Sequence, residues 1–406
     1  MAEINNLTPD GLTISNILTL RYNPTQNSLL PKLKENDFTP TNQSPSIDFI
    51  QKTMENEIKN KIQNKDDKIS IALSGGVDST LVLGVLKNTI HNEIEAISIK
   101  FANSVDETPY AAKTAETLNI NHNILYIENY LSELPKAISI IRQPFWDLHW
   151  YYVTKKAQTL SNYLIAGDGG DELFGGYTFR YRKFLSLTNS SFPPLEKIKA
   201  YLQCHERDSV PDQEKLFAKK TNFSWNTIYD RLLSYFDNSL SSLDQVFLAD
   251  FNGKLLYNFA PINTAIHNHF GIKSLAPILS HEMISYATHI PHTLKYDPVT
   301  DTGKILLRKL LSKYKMDEFV SKEKLGFNVN TINLWKSFGQ KLCKKYLLDS
   351  RVVQDGWINQ SWINDYIDKK EELDVRYVNK FLGLLALEVW YRLFITKEMK
   401  SDTTLN

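Results

Sequence analysis

Absences constrain this 406-residue chain before any motif does. Cysteine is scarce: Cys204 and Cys343 are the only two, which excludes a disulfide scaffold and a four-cysteine zinc site. Neither sign of charge dominates. The 47 Lys and Arg residues face 46 Asp and Glu, and a net charge of +1 gives no electrostatic reason to expect nucleic acid or an anionic membrane as partner. No apolar stretch is long enough to span a bilayer; the longest, Phe381 to Ile395, is interrupted by Glu388 and Arg392. Residues 1–30 lack the basic start and apolar core of a signal peptide. Repeats and low-complexity tracts are missing too. These absences point to a cytoplasmic protein with no nucleic acid and no membrane among its partners.

What is present suits an ordinary folded chain, with 42% hydrophobic and 12% aromatic residues to build a sizeable core. The first 45 residues are polar, apart from an apolar patch at Ile14 to Tyr22, and Glu35 to Ser46 reads as a linker. Helical periodicity over Ile47 to Gln63 then leads into alternating elements. Strands are expected at Ile69 to Leu73, Ile94 to Phe101, Asn123 to Ile127 and Tyr163 to Ile165. Helices are expected over Tyr110 to Leu118, Leu131 to Ile141 and Trp150 to Leu160. That alternation predicts an α/β fold, a parallel sheet flanked by helices, with any ligand beyond the carboxyl ends of the strands. From about residue 185 the strand signals fade into a mostly helical C-terminal half. The expected division is 1–45 as extension and linker, 46–184 as nucleotide-binding core and 185–400 as a mainly helical substrate part.

The first strand runs into Ser74-Gly75-Gly76-Val77-Asp78-Ser79 and then a helical pattern. A strand, a glycine turn and a helix start aim backbone N–H groups and the positive helix end at one point, which suits a phosphate. The Gly-Lys-Ser/Thr ending of a Walker A loop is absent. Asp78 adds a carboxylate where a phosphate-bound Mg²⁺ needs one. The fourth strand runs into Ala166-Gly-Asp168-Gly-Gly-Asp171-Glu172-Leu-Phe-Gly-Gly-Tyr177. Leu173, Phe174 and Tyr177 would pin this acidic loop to the core, and Asp171 opposite Asp78 would give the metal a second oxygen ligand.

The glycine motif Ser74 to Ser79 resembles the signature of ATP pyrophosphatases, and the pair of motifs resembles the synthetase domain of the asparagine synthetase family. The likeness continues through Asp106 to Ala111, His122, Pro144 to Asp147, Lys304 to Arg308, Lys322 to Phe327 and Leu387 to Trp390, over roughly residues 18 to 396. It implies an adenine nucleotide α-hydrolase-like fold that uses ATP and Mg²⁺. On that resemblance Ser74, Gly75, Gly76 and Ser79 cradle the phosphates, and Asp78 and Asp171 bind the metal. Ile99 and Gly167 line the adenine pocket, and Lys324 contacts the reacting phosphate as a catalytic residue. The paucity of cysteine argues against the tRNA-thiolating relatives.

Departures from the family pattern carry as much information. Ala2 follows the initiator methionine where the family has a cysteine nucleophile, so an N-terminal glutaminase domain is expected to be lacking. Asp168 stands where the family usually has Glu, and is expected to assist the amine as a catalytic group. The family's acid-substrate segment is rewritten over Thr264 to Ser280: only Gly271, Pro277 and Leu279 match, with Lys273, Leu275 and Ser280 at its Glu, Arg and Asp positions. Arg142-Gln143 replaces an acidic pair. His267 and His269 in that segment read as structural or surface histidines, with substrate contact and metal binding as alternatives.

The expected activity is therefore an ATP-dependent, AMP-forming amide ligase. It would adenylate a small-molecule or peptide carboxylate and pass the acyl group to ammonia or an amine, with a separate glutaminase subunit as one nitrogen source. The alternatives are an intramolecular cyclase of the β-lactam synthetase or lasso-peptide cyclase type, or a catalytically silent ATP-binding subunit. Asp78, Asp171 and Lys324 together argue against silence.

Overall fold

A computed structural model describes residues 8–41, 45–321, 329–369 and 374–406. The first helix, α1 (Gly11–Leu20), is capped by Asp10, whose carboxylate accepts from Thr13 N. The segment expected to be a linker contains a 3-10 turn, Glu35–Phe38, because Phe38 is buried and anchors it. Helix α2 (Ile47–Lys61) leads into β1 (Ile69–Ala72), α3 (Val77–Thr89), β2 (Ile94–Phe101), α4 (Thr108–Thr117) and β3 (Asn121–Ile127). Next come α5 (Leu134–Ile141), α6 (His149–Ala157), β4 (Tyr163–Ile165) and the short α7 (Gly170–Phe174).

The sheet has five strands in the order β3-β2-β1-β4-β5, all parallel. Its fifth strand, β5 (Lys273–Leu275), comes from the half of the chain that reads as helical, and pairs Tyr163 with Lys273 and Ile165 with Leu275. β5 is short, and its first two side chains are exposed, so no apolar alternation marks it. The chain lays β2 and β3 on one side of β1, then β4 and β5 on the other. Strand order therefore reverses between β1 and β4, and the turns leaving those strands border one crevice.

β1 is buried on both faces, as the central strand of a parallel sheet covered by helices is. Ile69, Ile71 and Leu73 pack with Leu81 and Val85 of α3, while Ala72, Leu164 and Ala166 pack with Trp150 and Val153 of α6. The helix Val375–Phe394 is interior, as its apolar circumference predicts. Its fully buried Glu388 accepts from Ser350 Oγ, Arg351 N and Val352 N, and pairs with Arg392 Nε at 2.6 Å. Among the described residues no helix is long and apolar enough to cross a membrane.

Candidate functional site

The crevice is a cleft of about 1450 Å³. Ser74, Gly76, Asp78, Ser79, Gly167, Asp168 and Asp171 all line it. Gly75 and Ile99 are not among the lining residues; Ile99 is buried in the core on β2.

At the β1 turn, Ser74 N donates to Ser79 Oγ at 3.1 Å, and Gly76 N donates to Ser74 Oγ at 3.2 Å. These bonds hold the loop curled over the start of α3. The N-cap of α3 is Gly76, which brings no side chain to satisfy the first-turn amides, so the positive helix end is open to an anion. Ser321 N donates to Gly75 O at 3.0 Å, which ties the chain just before residue 322 to the loop. Lys324 lies outside the described residues, as does the rest of Lys322 to Phe327.

Asp78 and Asp171 converge as their motifs suggest. Between them sits Lys304, whose Nζ lies 2.5 Å from Asp78 Oδ2 and 2.6 Å from Asp171 Oδ1. Burial disfavours the ammonium, but the two carboxylates outweigh it and hold the Lys304 pKa well above the usual lysine range. Lys304 has φ 58°, a left-handed conformation that costs a side-chain-bearing residue about 1–2 kcal/mol. The packing leaves no slack: a Cβ on Gly170 would come within 2.4 Å of Asp78 Cγ, and one on Gly176 within 1.8 Å of Asp171 Oδ1. This all-oxygen pair already accommodates one cationic group beside a phosphate-shaped turn. It fits Mg²⁺, with nucleotide oxygens and water completing the shell. Among the described residues no cluster of three or more His, Cys, Asp or Glu could hold a metal.

Asp168 is half-buried in the next turn, and its Oδ2 accepts from Asn263 Nδ2 at 3.1 Å. Burial, with the Asp78 and Asp171 charges, pushes its pKa up to about 6 against the opposing influence of His149 and Asn263. Glu172, the third acid of the motif, turns inward to accept from Tyr177 Oη at 2.5 Å, and burial raises its pKa.

Beyond Asp168 the cleft continues into a charged end that no local motif announces. His149 Nδ1 lies 2.9 Å from Asp147 Oδ1, and Tyr130 Oη donates to the same oxygen at 2.7 Å. Burial alone would raise the Asp147 pKa, but His149, Arg21 and Tyr130 outweigh it and hold the carboxyl below its usual range. Arg21 is 3.7 Å from Asp147, Lys254 is 2.6 Å from Asp208, and Arg180 is 3.8 Å from Asp250. Burial lowers the Lys254 pKa to about 8 against the pull of Asp208. Lys254 follows Gly253, whose non-helical angles (φ −101°, ψ −105°) kink the wide helical turn Phe251–Phe259.

The two histidines separate, because residues two apart on a helix point to different sides. On the helix Ala260–Phe270, His267 is buried, lines the cleft and meets the Trp150 ring edge-on at 6.1 Å. Its Nε2 is buried without a hydrogen bond among the described residues, and burial lowers its pKa to about 4. His269 is exposed and meets the Phe270 ring edge-on.

Sequence reasoning marked both motif turns but gave Lys304 no role, and it passed over Arg21, Arg207 and Lys254. The acidic partners of Arg21 and Lys254, Asp147 and Asp208, lie far along the chain, so spacing carries no signal for them.

The asparagine synthase family model matches residues 50–392. The chain is 24% identical over 372 residues to asparagine synthetase [glutamine-hydrolyzing] 1 of Bacillus subtilis, covering 82% of this chain and 57% of that protein. It is 32% identical over 151 residues to putative asparagine synthetase [glutamine-hydrolyzing] 2 of Methanocaldococcus jannaschii, covering 33% of this chain and 29% of that one. The chain thus spans little more than half the length of the Bacillus relative. Among solved structures, NH3-dependent NAD synthetase from Campylobacter jejuni aligns at 20% identity and TM-score 0.27, over 33% of this chain and 61% of its own. NMN synthetase from Francisella tularensis aligns at 16% identity and TM-score 0.27, over 57% and 98% respectively. With its two glycine turns bordering one cleft and the family match running across most of its length, the chain belongs to the asparagine synthase family.

Proposed function

We propose that the chain is an AMP-forming ligase that joins a carboxylic acid to ammonia or an amine at the expense of ATP. The observation that carries this reading is the convergence on one cleft of the phosphate turn, the Asp78–Asp171 pair and the raised Asp168.

The Ser74 to Ser79 turn and the open end of α3 would hold the triphosphate. Asp78 and Asp171 would hold Mg²⁺, which supplies charge neutralisation on the phosphate oxygens. The acid's carboxylate oxygen attacks the α-phosphorus, and the α–β bridging bond breaks with its electron pair leaving on pyrophosphate. The nitrogen nucleophile then attacks the acyl carbonyl, and AMP departs with the electrons of the carbon–oxygen bond. Asp168 is suited to take the nitrogen's proton: a carboxylate with a pKa near 6 is ionised at neutral pH yet more basic than an exposed one. Nitrogen from glutamine is not expected through either cysteine. Cys204 and Cys343 are buried, with thiol pKa values raised by burial, to about 12 for Cys204, and so lack the thiolate a nucleophile needs.

Pyrophosphate release, assayed over a panel of carboxylic acids with ammonia present, tests the reading. Release should depend on the acid and on Mg²⁺, and Asp171→Asn should reduce it by about two to three orders of magnitude. Wild-type turnover in Asp171→Asn would remove the carboxylate pair from the chemistry.

A further inference from the structure

Asp168 leaves a turn that the sheet holds in place. Ala166 N donates to Leu275 O at 2.9 Å and Lys273 N donates to Asn162 O at 3.0 Å, so the β4–β5 ladder is tied at both ends. Gly169, the next residue, has φ 90°, and a Cβ there would come within 2.3 Å of Leu279 Cδ2, so the turn packs against the residues that follow β5. The helix Ala260–Phe270 enters the same frame from the other side. Ile272 N donates to His267 O at 3.0 Å, and the chain runs from that helix straight into β5. On it, Asn263 is buried, lines the cleft and donates from Nδ2 to Asp168 Oδ2 at 3.1 Å. The two residues lie 95 apart in the sequence, yet strand pairing locks together the elements that carry them.

This hydrogen bond divides the carboxylate. Oδ2 is engaged, Oδ1 takes no hydrogen bond among the described residues, and Asp168 itself lines the cleft. An ionised carboxylate only accepts, so the nitrogen of the Asn263 amide is the end that faces it. A neutral donor favours the ionised form and fixes the side chain without cancelling the charge that a base needs. The charged groups acting on Asp168 are His149 of α6, Asp78 of α3 and Asp171 of α7, with Lys304 between the two aspartates. They act through their fields. Among the described residues Asn263 alone donates a hydrogen bond to the carboxylate.

We infer that Asn263 is a positioning residue for amide formation: it holds Asp168 Oδ2 so that Oδ1 meets the nitrogen nucleophile. The part in amide formation rests on the ligase reading above; the orientation of Asp168 rests on the hydrogen bond and the frame that carries it. As nitrogen bonds to the acyl carbon, an N–H bond breaks, its proton passes to Oδ1 and its electron pair stays on nitrogen. The bond from the acyl carbon to AMP breaks with its pair leaving on AMP. Asn263 touches none of these atoms. Its helix carries the start of the rewritten segment Thr264 to Ser280, so the base is aligned from the acceptor side of the cleft and not from the nucleotide turn.

The test uses the full chain with Mg²⁺, ATP and ammonia, with rates expressed per free ammonia. L-aspartate, glutarate and triglycine are tried as the acid, and the one that gives the fastest pyrophosphate release is carried forward. Asn263→Leu keeps the shape without a donor, and Asn263→Ala removes the donor without adding bulk. Either should slow amide formation about tenfold and change acid-dependent exchange of pyrophosphate into ATP by less than about threefold. Losing the donor favours the protonated carboxyl, so the limb that rises through pH 6 should move up by about one pH unit. Asn263→Gln keeps the amide and should shift the limb less and recover part of the rate. A role in packing alone would slow both half-reactions and leave the limb where it is. A limb that stays in place in Asn263→Leu and Asn263→Ala, or equal losses in the two half-reactions, overturns the inference. A carboxyl ¹³C titration of the ligand-free chain, assigned with Asp168→Asn, separates the two claims. If no acid supports exchange while both variants raise the Asp168 midpoint, the ligase reading fails and the positioning of Asp168 stands. If amide forms and the midpoint is the same in every variant, the ligase reading stays and Asn263 has no hold on Asp168.

Discussion

At the phosphate end of the cleft the protein works mostly with its main chain; at the far end it works with side chains. The first end is two turns leaving adjacent strands, where glycines let Asp78 and Asp171 pack against backbone and a Cβ on Gly170 or Gly176 would collide with a carboxylate. The second is assembled from Arg21 after α1, Asp147 before α6, Arg180, Arg207 and Asp208 in the middle of the chain, and Lys254 at a kinked helical turn. A site made of close-packed backbone tolerates almost no single change, because each substitution collides with something that cannot move. A site made of long side chains on separate elements can exchange one group at a time. The acceptor end can therefore be rewritten while the nucleotide end stays as it is.

The largest expected effect comes from Asp168, which stands between the two ends. Asp168→Asn keeps the size and removes the base. Amide formation should fall by about 10²–10⁴-fold while acid-dependent exchange of pyrophosphate into ATP falls far less. The pH dependence has a definite sign. With a pKa near 6, Asp168 is protonated and unable to accept a proton at pH 5, and ionised at pH 7, so amide formation should rise through pH 6 and level off above it. Asp168→Asn should flatten that limb. Equal losses in both half-reactions would move Asp168 to the nucleotide end and break the division.

Lys324 should show the opposite preference. Lys324→Ala is expected to lower pyrophosphate release by about two to three orders of magnitude with a much smaller loss of ATP affinity, since a stabiliser of developing charge acts after binding. Lys324→Arg should rescue only in part, because a planar guanidinium does not replace a compact ammonium. ATP affinity falling in proportion to turnover would make Lys324 a ground-state clamp.

These contrasts also explain what was legible beforehand. β2 was readable to the residue because Ile94 to Phe101 is an eight-residue, mostly buried stretch with three isoleucines and a closing phenylalanine, and the two motif turns because strand, glycines and acid are contiguous. β5 was not, because three residues with two exposed side chains carry no periodicity and take their conformation from pairing with β4. The role of Lys304 was equally hidden: its carboxylate partners lie at positions 78 and 171, and only the fold brings them together. The far end was invisible for the same reason, since a lone Arg21, Arg207 or Lys254 reads as one surface charge among many.

Lys304 sharpens the comparison through stability. Lys304→Met removes the cation from between two half-buried carboxylates and should destabilise the ligand-free chain by about 1–3 kcal/mol. Adding Asp78→Asn and Asp171→Asn to that variant should recover much of the loss, as removing the stranded charges also removes their repulsion. Denaturant unfolding of the single and triple variants without nucleotide measures this. A triple variant no more stable than Lys304→Met would show that the lysine acts through packing.

The smallest expected effect lies at His267, in the wall of the acceptor side. Its Nε2 is buried beside the cleft with no hydrogen bond among the described residues, so an acid bound there would gain one polar contact. His267→Gln should therefore change the KM for the acid by about three- to tenfold and leave the KM for ATP unchanged. The same residue has a pH signature in stability. Its folded pKa is lowered to about 4 by burial, so between about pH 6.5 and pH 4 the unfolded chain binds a proton that the folded chain does not. Stability supplied by the neutral imidazole is complete above pH 6.5 and drains away as pH falls toward 4. Wild type should lose up to about 3 kcal/mol over that interval from this group alone. His267→Gln carries no such proton and should gain on wild type by that amount when unfolding is compared at pH 7 and pH 4. An ATP KM that moves along with the acid KM would place His267 at the nucleotide end, and an unchanged difference in stability between the two pH values would mean that the imidazole is hydrated in solution.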